Sequence, residues 1–384
     1  MKKLAILTTH PIQYNAPVFK LLQQRRNINF KVFYTWGDEV LKDKYDPGFG
    51  KNIEWDIPLL EGYDAVFVKN AAKNPGSHHF KGIDNPGLIE QIEEWNADAI
   101  LVFGWSFKSH LKVLRHFSGK KKILFRGDST LLDEVKGIKQ RLRRSFLKWV
   151  YSHVDVALYV GQNNKNYFLT HGLKEQQLIL APHAIDNDRF KKVIDKEALV
   201  AERARMGIDP QDFVLLFAGK LEPKKQPDYL IELGRRLKNH PSVKFLIVGN
   251  GVMESGLKES VKNDKRFIFL NFQNQTRMPF IYKMADLLIL PSKGPGETWG
   301  LAINEAMACG LPVAASNKCG GAIDLIDKGR NGVIFAPDDW DTVEKFVLEL
   351  TGDSAQYALA AEHSLAIIDK FSFNHIAAAI ESTV

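Results

Sequence analysis

The sequence predicts an α/β protein built from two doubly wound domains, each a parallel sheet covered by helices. Short runs of β-branched and aromatic residues recur throughout the 384 residues, separated by stretches of helical pattern. These runs are continuously apolar, as expected of parallel strands that are buried on both faces. They fall into two sets of six, divided by a polar segment between Asp186 and Asp212 that lacks a strand pattern. Strand and helix alternating twice over favours two such domains.

Each half contains six predicted strands. In the first half they are Leu4–Thr9, Phe30–Trp36, Ile100–Trp105, Lys122–Arg126, Val156–Val160 and Leu178–Pro182. In the second half they are Phe213–Ala218, Lys244–Val248, Arg266–Asn271, Leu287–Pro291, Pro312–Ala315 and Gly332–Ala336. We predict domains at 1–190 and 205–365, with a final helix in 366–384 that packs back on the first domain. Two turn-rich regions, 37–55 and 72–88, resist assignment, since they could equally be functional loops at the rim of a sheet or flexible connectors.

The composition excludes several classes of protein. With 45% hydrophobic residues, 24 Phe and 7 Trp, the chain is typical of a folded globular protein and not of a disordered one. Its two cysteines, Cys309 and Cys319, cannot build a disulfide framework or a cysteine ligand cluster, which favours a reducing compartment. The first apolar run is too short for a signal peptide, and no charge-free stretch is long enough to span a membrane. We therefore expect a soluble, cytoplasmic protein.

Positive charge is concentrated in residues 101–150, which contain 13 Lys and Arg against 3 Asp and Glu. The basic run ends at Lys148 and is interleaved with an apolar stripe at helical spacing, formed by Ile138, Leu142, Phe146 and Trp149. Such a helix can lie on an anionic membrane, bind nucleic acid, or pack its stripe on the domain with its charges in water. No recognised nucleic-acid motif accompanies the charge, so we expect no nucleic-acid partner. The other two interpretations remain open.

Ligands of doubly wound sheets bind beyond the carboxyl ends of the strands, so the residues that follow each strand are the informative ones. The first strand ends in the run Thr9-His10-Pro11-Ile12-Gln13-Tyr14, which is not the Gly-x-Gly-x-x-Gly fingerprint of dinucleotide-binding enzymes. The chain also lacks a Gly-x4-Gly-Lys-Ser/Thr phosphate loop. Dehydrogenases and P-loop enzymes are therefore disfavoured.

The loops of the second half offer groups that bind anions. Gly219 ends a strand and lets the backbone turn, and Lys220 and Lys225 follow in the loop that enters a helix. Two lysines in this position could hold a diphosphate whose charge grows as it leaves. Gly249 ends the next strand in the same way, and Gly320-Gly321 joins a later strand to a helix.

A more specific pattern lies between 291 and 312. Gly294-Pro295-Gly296 forces a loop, and the amides of Thr298, Trp299, Gly300 and Leu301 then open a helix whose dipole favours an anion. Glu297 stands at the mouth of this helix, and Glu305 lies about two turns inside it. Glu305 is surrounded by apolar residues, so its carboxylate needs a partner such as a hydroxyl group. Together these loops predict a site for a nucleotide diphosphate that carries a hydroxyl-rich group.

These residues resemble the retaining glycosyltransferases of family four, which have the GT-B fold. The resemblance rests on Gly219-Lys220-Leu221-x3-Lys225, on Glu297-x7-Glu305 within its Pro-Ser…Gly-Leu-Pro-Val frame, and on Gly320-Gly321. A segment at the domain junction, residues 181–190, is similar to the Pro-Asn-Gly-Val-Asp-x-x-x-Phe motif of that family. The match covers residues 178–340, whereas residues 1–177 agree in architecture only. It implies two Rossmann-like domains that face a central cleft, with the acceptor bound by the first domain.

The resemblance also implies roles for individual residues. Lys225 is expected to contact the pyrophosphate, with Lys220 standing where the family usually has Arg. Glu297 is expected to bind the donor sugar near the reacting carbon, and Glu305 the ribose hydroxyls. The amides of residues 298–301 would cradle the sugar and the distal phosphate, and the base would lie near Phe272 and Gln273.

The first half departs from the family in two places. His10 lies where the family has a glycine-rich loop, and it is included among the expected donor contacts. Where the family often has His-Asp after a strand, this chain has Arg126-Gly127-Asp128. We expect Arg126 or Asp128 to take over the contact with the donor sugar.

The activity implied by the resemblance is transfer of a hexose-type sugar with retention, from a nucleotide diphosphate sugar to a saccharide or lipid-linked saccharide. UDP is favoured only as the commoner carrier, and no cofactor or catalytic metal is expected. The setting implied is surface polysaccharide assembly of the bacterial type, in peripheral contact with the anionic inner face of the plasma membrane. Two alternatives stay open, namely a nucleotide-sugar epimerase of the same fold and a non-catalytic protein that binds nucleotide sugars.

Overall fold

The computed structural model describes residues 1–38, 45–46, 51–52 and 54–384. By its internal contacts the chain separates into two compact units. The first contains Met1–Lys44, Pro58–His183 and Phe373–Val384, and the second contains Tyr45–Ile57 and Ala184–Ser372. Of the turn-rich region 37–55, residues 39–44, 47–50 and 53 lie outside the described residues. Within the described ranges, no helix has the length and apolar character that crossing a membrane requires.

Strands and helices alternate along both units. The strands are β1 (Lys3–Thr8), β2 (Asn29–Tyr34), β3 (Tyr45–Asp46), β4 (Lys51–Asn52), β5 (Ala65–Phe67), β6 (Ala99–Phe103), β7 (Lys122–Arg126), β8 (Val156–Tyr159), β9 (Leu178–Leu180), β10 (Phe213–Ala218), β11 (Val243–Val248), β12 (Phe267–Leu270), β13 (Leu287–Leu290), β14 (Val313–Ser316) and β15 (Gly332–Phe335). The helices are α1 (Ala16–Arg25), α2 (Leu88–Glu94), α3 (Lys108–Phe117), α4 (Ile138–Tyr151), α5 (Gln162–Thr170), α6 (Asn187–Lys191), α7 (Lys196–Arg205), α8 (Tyr229–Arg236), α9 (Glu254–Ser260), α10 (Met278–Lys283), α11 (Leu301–Ala308), α12 (Ala322–Leu325), α13 (Trp340–Gly352), α14 (Ser354–Ile368) and α15 (Phe373–Glu381).

The first unit is built on a parallel sheet with the strand order β5-β2-β1-β6-β7-β8-β9. Its central strands are fully buried, as their continuous apolar runs predicted. The sheet has seven strands and not the six predicted. The additional strand, β5, is three half-buried residues at the edge of the sheet, which is too short to give a strand pattern in the sequence.

The second unit is built on a six-stranded parallel sheet with the order β12-β11-β10-β13-β14-β15. This is the Rossmann order, in which the chain winds outward in one direction from β10 and then in the other direction from β13. Phe217, Phe245 and Ile289 are among the side chains of its fully buried core. All six strands were predicted within two residues of their observed ends.

Two segments belong to a compact unit whose other residues are distant from them in sequence. Helix α15 lies in the first unit, where it packs on α1 and β9 and buries Ile376, Ala377 and Ile380. The hairpin β3–β4 and the residues up to Ile57 group with the second unit, although they lie within the range 1–190 that we assigned to the first domain.

Candidate functional site

The topology of the second sheet identifies its binding edge. The winding direction reverses between β10 and β13, and ligands of such sheets bind beyond the carboxyl ends of the strands at this reversal. Two loops start there, at Gly219 after β10 and at Pro291 after β13. These loops carry the lysines and Glu297 that the sequence singled out.

Glycine allows the loops after β10 and β11 to lie directly against each other. Gly219 donates its backbone N–H to the carbonyl of Val248, and Leu221 donates to that of Asn250. Gly249 has a φ of +143°, and a Cβ there would stand 1.9 Å from the carbonyl oxygen of Gly219. The predicted glycines Gly219 and Gly249 therefore fix the backbone that carries Lys220 and Lys225.

Lys225 and Glu297 meet at this edge. Lys225 ends a single 3-10 turn, Pro223–Lys225, and its Nζ forms an ion pair with Oε2 of Glu297. The hydroxyl of Ser292 donates to the same oxygen at 2.9 Å. The two loops are also joined by a hydrogen bond from the N–H of Lys293 to the carbonyl of Lys224. The structure thus brings the predicted cation and acid together and adds Ser292, which sequence reasoning did not assign.

The start of helix α11 is held by the third glycine loop. Gly300 is the residue before the helix and has a φ of +96°, where a Cβ would stand 2.9 Å from Leu290. The N–H of Gly320 donates to the carbonyl of Glu297, and that of Gly321 donates to the carbonyl of Trp299. The Trp299 side chain is buried, and its Nε1 donates to Asn304. The buried Trp299 ring therefore holds the start of helix α11 from the core side. The backbone of residues 298–301 forms the N-terminal end of this helix, which we call the helix mouth.

Glu305 is buried, with 6% of its surface exposed. Its Oε2 accepts a hydrogen bond of 2.8 Å from the hydroxyl of Tyr282, which is itself fully buried. The apolar surroundings of Glu305 in the sequence predicted a hydroxyl partner for its carboxylate, and the family resemblance implied that a ribose supplies it. The protein supplies one such hydroxyl from helix α10, which sequence spacing could not reveal.

The edge strand β12 ends beside a segment from the N-terminal half of the chain. The backbone N–H of Phe272 donates to the side chain of Asn250, and the Phe272 ring contacts Trp55 edge to face at 6.4 Å between ring centres. Asp56 accepts from the backbone N–H of Thr276 at 3.1 Å. The site expected for the base, near Phe272 and Gln273, is therefore bordered by Trp55, a residue that sequence reasoning missed because it is remote in the chain.

In the first unit, Arg126 has a structural task. Its side chain is buried, and it donates from Nη1 to the carbonyl of Ala181 at 2.6 Å and from Nη2 to that of Pro182 at 3.2 Å. Burial lowers the pKa of Arg126 to about 10. In the structure this guanidinium anchors the segment after β9, and its contact with a donor sugar stays a prediction.

Asp128 and His10 lie in different surroundings. Asp128 is half exposed, and its Oδ2 stands 3.7 Å from Nε2 of His183, which lies in the junction segment 181–190 and was given no role in the sequence analysis. Burial lowers the pKa of His183. His10 follows β1, where its Nδ1 shares a 2.8 Å hydrogen bond with the hydroxyl of Thr9 and its ring contacts Trp36. Burial lowers the pKa of His10 to about 4.

Comparison with known proteins matches the second half to a family model. Residues 201–363 match the family model described as "Glycosyl transferases group 1". A D-inositol 3-phosphate glycosyltransferase of Rhodococcus opacus is 32% identical over 192 residues, which are 46% of this chain and 42% of the relative. A GDP-mannose-dependent alpha-(1-6)-phosphatidylinositol monomannoside mannosyltransferase of Mycolicibacterium smegmatis is 28% identical over 57% of this chain and 60% of its own length. The chain thus spans about half the length of these curated relatives.

Similarity of fold extends over the whole chain. The crystal structure of Anabaena Alr3699/HepE in complex with UDP has a TM-score of 0.75 and 19% identity, covering 100% of this chain and 99% of that one. The predicted fold class, two Rossmann-like domains of the GT-B kind, is confirmed, and so is the resemblance to family four.

Proposed function

We propose that the protein is a retaining glycosyltransferase, because residues 201–363 match the family model described as "Glycosyl transferases group 1". It would move a hexose-type sugar from a nucleotide diphosphate sugar to a saccharide or lipid-linked saccharide. The observation that carries the proposal is the meeting of Lys225 and Glu297 at the reversal point of the second sheet. Loops that hydrogen bond to each other hold the two side chains there. We assign the cation to a diphosphate and the acid to sugar hydroxyls.

The roles in the proposed reaction follow from charge. Lys225, with Lys220 in the same loop, would hold the diphosphate and stabilise the charge that develops on it as the sugar leaves. The mouth of helix α11 would add its dipole and backbone N–H groups. Glu297 would accept hydrogen bonds from the sugar hydroxyls, which fixes the ring relative to the leaving group. Glu305, already paired with Tyr282, would reach the ribose with its remaining acceptor capacity.

Transfer with retention would then proceed on one face of the sugar. The bond from the anomeric carbon to the diphosphate oxygen breaks, and the acceptor oxygen bonds to the same face of that carbon. The acceptor proton passes to the departing diphosphate, which is the nearest base. A double displacement would require a carboxylate at the opposite face of the sugar. Glu297 is already engaged by Lys225 and Ser292, so we assign it to binding and not to nucleophilic attack.

The donor and the setting are proposed from similar proteins. UDP is favoured because the structurally similar Anabaena protein was solved with UDP, although the mycobacterial relative is named as GDP-mannose-dependent. The name of that relative includes a phosphatidylinositol-linked acceptor, which supports a lipid-linked acceptor here. We propose a cytoplasmic enzyme in peripheral contact with the anionic inner face of the plasma membrane, acting in surface polysaccharide assembly.

The proposal is tested by measuring how two single lysine variants bind nucleotides. Titration calorimetry with UDP, GDP and ADP would first identify the base. Lys225→Ala should then weaken binding of the preferred diphosphate about tenfold or more, because it removes a charge-assisted contact. Lys224→Ala is the matched control, since Lys224 is adjacent in sequence but pairs with Glu222 at 3.3 Å.

The outcomes separate the alternatives. Lys224→Ala should bind within about twofold of the wild type, because its charge is not at the proposed diphosphate site. Equal losses in both variants, or no binding of any nucleoside diphosphate, would refute the proposed site. Release of diphosphate only when a saccharide acceptor is present would separate a transferase from an epimerase or a binding protein.

A further inference from the structure

Helix α4 uses only part of its surface to pack on the first unit. Leu147, Val150 and Tyr151 are its buried side chains, and they anchor the C-terminal half of the helix in the core of that unit. The helix is therefore anchored mainly by residues outside its apolar stripe. The interpretation that the stripe packs on the domain holds only for its C-terminal end, where Phe146 contacts Trp105 at 5.4 Å between ring centres.

The α4 stripe consists of Ile138, Leu142, Phe146 and Trp149, and it is exposed to solvent. The exposed fractions are 77% for Ile138, 68% for Leu142, and 41% for both Phe146 and Trp149. At 100° per residue these four positions cover about 80° of the helix circumference, beside the buried face. Val135, just before the helix, is 83% exposed and extends the apolar surface. A contiguous apolar surface of this kind marks an interaction site.

Positive charge surrounds the α4 stripe. By helical position Lys139 lies on one side of it, and Arg141 and Lys148 lie on the other; all three are exposed. The guanidinium of Arg115, from helix α3, stands over the Trp149 ring at 5.6 Å. The sequence of α4, IKQRLRRSFLKWVY, contains no acidic residue. Arg144 of α4 is not counted in this basic border, because it forms an ion pair with Glu134 at 2.5 Å.

We propose that the α4 stripe and its basic border dock on an anionic lipid bilayer, with α4 lying in the plane of the interface. The apolar side chains would enter the boundary between headgroups and acyl chains, and the lysines and arginines would meet the lipid phosphates. Trp149 and Phe146, next to Arg115, are suited to the headgroup level. Nucleic acid is disfavoured as the partner, because Ile138 and Leu142 would face a phosphate backbone that offers them no apolar contact.

This inference deepens the proposed function by assigning the membrane contact to a defined surface. Its test measures lipid binding and needs neither donor nor acceptor. A negative result would therefore remove the docking surface while leaving the proposed transfer reaction standing. Conversely, the surface could bind lipid even if the proposed transfer reaction were wrong.

The test is co-flotation of the full-length protein with vesicles of phosphatidylcholine, with and without phosphatidylglycerol. We expect binding to the anionic vesicles at low ionic strength, and strong weakening in high salt and on phosphatidylcholine alone. The double variant Arg141→Ser, Lys148→Ser should bind about tenfold more weakly, from the charges that it removes near the surface. The double variant Ile138→Ser, Leu142→Ser should bind at least about tenfold more weakly, from the lost apolar insertion.

Matched controls remove the same groups from the second unit. Arg330→Ser with Lys345→Ser deletes two exposed charges, and Val200→Ser with Leu359→Ser deletes two exposed apolar side chains. These variants should bind vesicles like the wild type. Unfolding midpoints measured by circular dichroism would show that all four variants are folded.

Three results would overturn the inference. One is the absence of binding to anionic vesicles at low salt. Another is an equal loss of binding in the control variants, which would mean that the general charge or apolar character of the chain is responsible. The third is binding of an RNA or DNA duplex without any binding of vesicles.

Discussion

At the scale of single residues, Glu297 is held by contacts with several parts of the candidate site. Its carboxylate is paired with Lys225 and accepts from Ser292, and its backbone carbonyl accepts from Gly320. The loop after β10 and its own loop therefore hold the Glu297 side chain, and the loop at Gly320 holds its backbone, before any ligand is present. Preorganised groups of this kind contribute most to catalysis when they meet charge or hydroxyls that change in the transition state.

Glu297→Gln tests that contribution. The amide keeps the shape and can still accept from Ser292, but it removes the charge that faces the sugar and Lys225. We expect the transfer rate to fall about 100-fold or more, while the affinity for the nucleoside diphosphate changes by about twofold at most. Initial rates with saturating donor, together with calorimetric titration, would measure both.

Glu222→Gln is the control for this variant, because Glu222 carries the same group nearby but pairs with Lys224. It should retain the wild-type rate. An unchanged rate in Glu297→Gln would show that Glu297 serves only to fold the loop, and the assignment to the donor sugar would have to be abandoned.

The residues of the second half could be predicted because their chemistry is encoded locally. Glycine at a strand end, lysine in the next loop and an acid at a helix start are all visible within a few positions of one another. Arg126 shows the limit, since its carbonyl partners at Ala181 and Pro182 lie more than fifty positions away. Tyr282 and Glu305 show the same limit, because a buried pair across two helices leaves no spacing pattern.

At the level of elements, apolar runs predicted the buried strands well because parallel strands covered on both faces have few polar positions. The strand β5 and the hairpin β3–β4 were missed, because edge and two-residue strands bury too little to impose a pattern. The order of the strands was not predictable from such runs either. That order places the loops after β10 and β13 next to each other, and hence Lys225 beside Glu297.

His110 joins two elements of the first sheet. It lies on helix α3, is fully buried, and its Nδ1 lies within hydrogen-bond distance of the carbonyls of Phe103 and Gly104 at the end of β6. Its Nε2 shares a 2.8 Å hydrogen bond with the hydroxyl of Thr35, which follows β2. Burial lowers the pKa of His110 from 6.5 to about 4. The connection is therefore made by a neutral imidazole at neutral pH.

This depressed pKa predicts a pH dependence of folding. Above pH 6.5 the imidazole is neutral in both states; as the pH falls from 6.5 towards about 4, the unfolded chain binds the proton first. The free energy of unfolding should fall in that window, by up to about 1.4 kcal/mol per pH unit for this one group. Urea unfolding between pH 7 and pH 4 should give a shallower slope for His110→Gln than for the wild type.

The contribution of His110 can be separated from that of other histidines. His10 has a similarly lowered pKa of about 4, so part of the slope should remain in His110→Gln. His240→Gln, which changes an exposed histidine, should keep the wild-type slope. If His110→Gln and His240→Gln gave the same slope, the buried imidazole would not be the source of the pH dependence.

At the level of the whole molecule, the first unit includes a segment that follows the second unit in sequence. Residues 373–384 follow the entire second unit in sequence, yet helix α15 packs on α1 and β9 of the first unit. Arg25 at the end of α1 donates to the carbonyl of Asn374 and pairs with Glu381 at 3.1 Å. The hydrophobic contact stabilises this packing more than the ion pair does, since Ile376 and Ile380 are buried whereas the ion pair is partly solvated.

Deleting residues 373–384 should therefore destabilise the first unit and spare the second. Loss of the two buried isoleucines alone corresponds to about 3–6 kcal/mol of burial. We expect hydrogen exchange to accelerate in β1, β2 and β9, while the amides of β10 to β15 keep their protection. Binding of a nucleoside diphosphate should persist, because the proposed site lies within the second unit.

Two point variants separate the contribution of hydrophobic burial to this stability from the contribution of the ion pair. Ile380→Ala should cost about 2–5 kcal/mol, as truncation of a buried aliphatic side chain does. Arg25→Gln should cost less than about 1 kcal/mol, because the ion pair is partly exposed to solvent. If the deletion accelerated exchange equally in both units, the two units would unfold as one cooperative body. The separation of the chain into two compact units would then describe its contacts but not its stability.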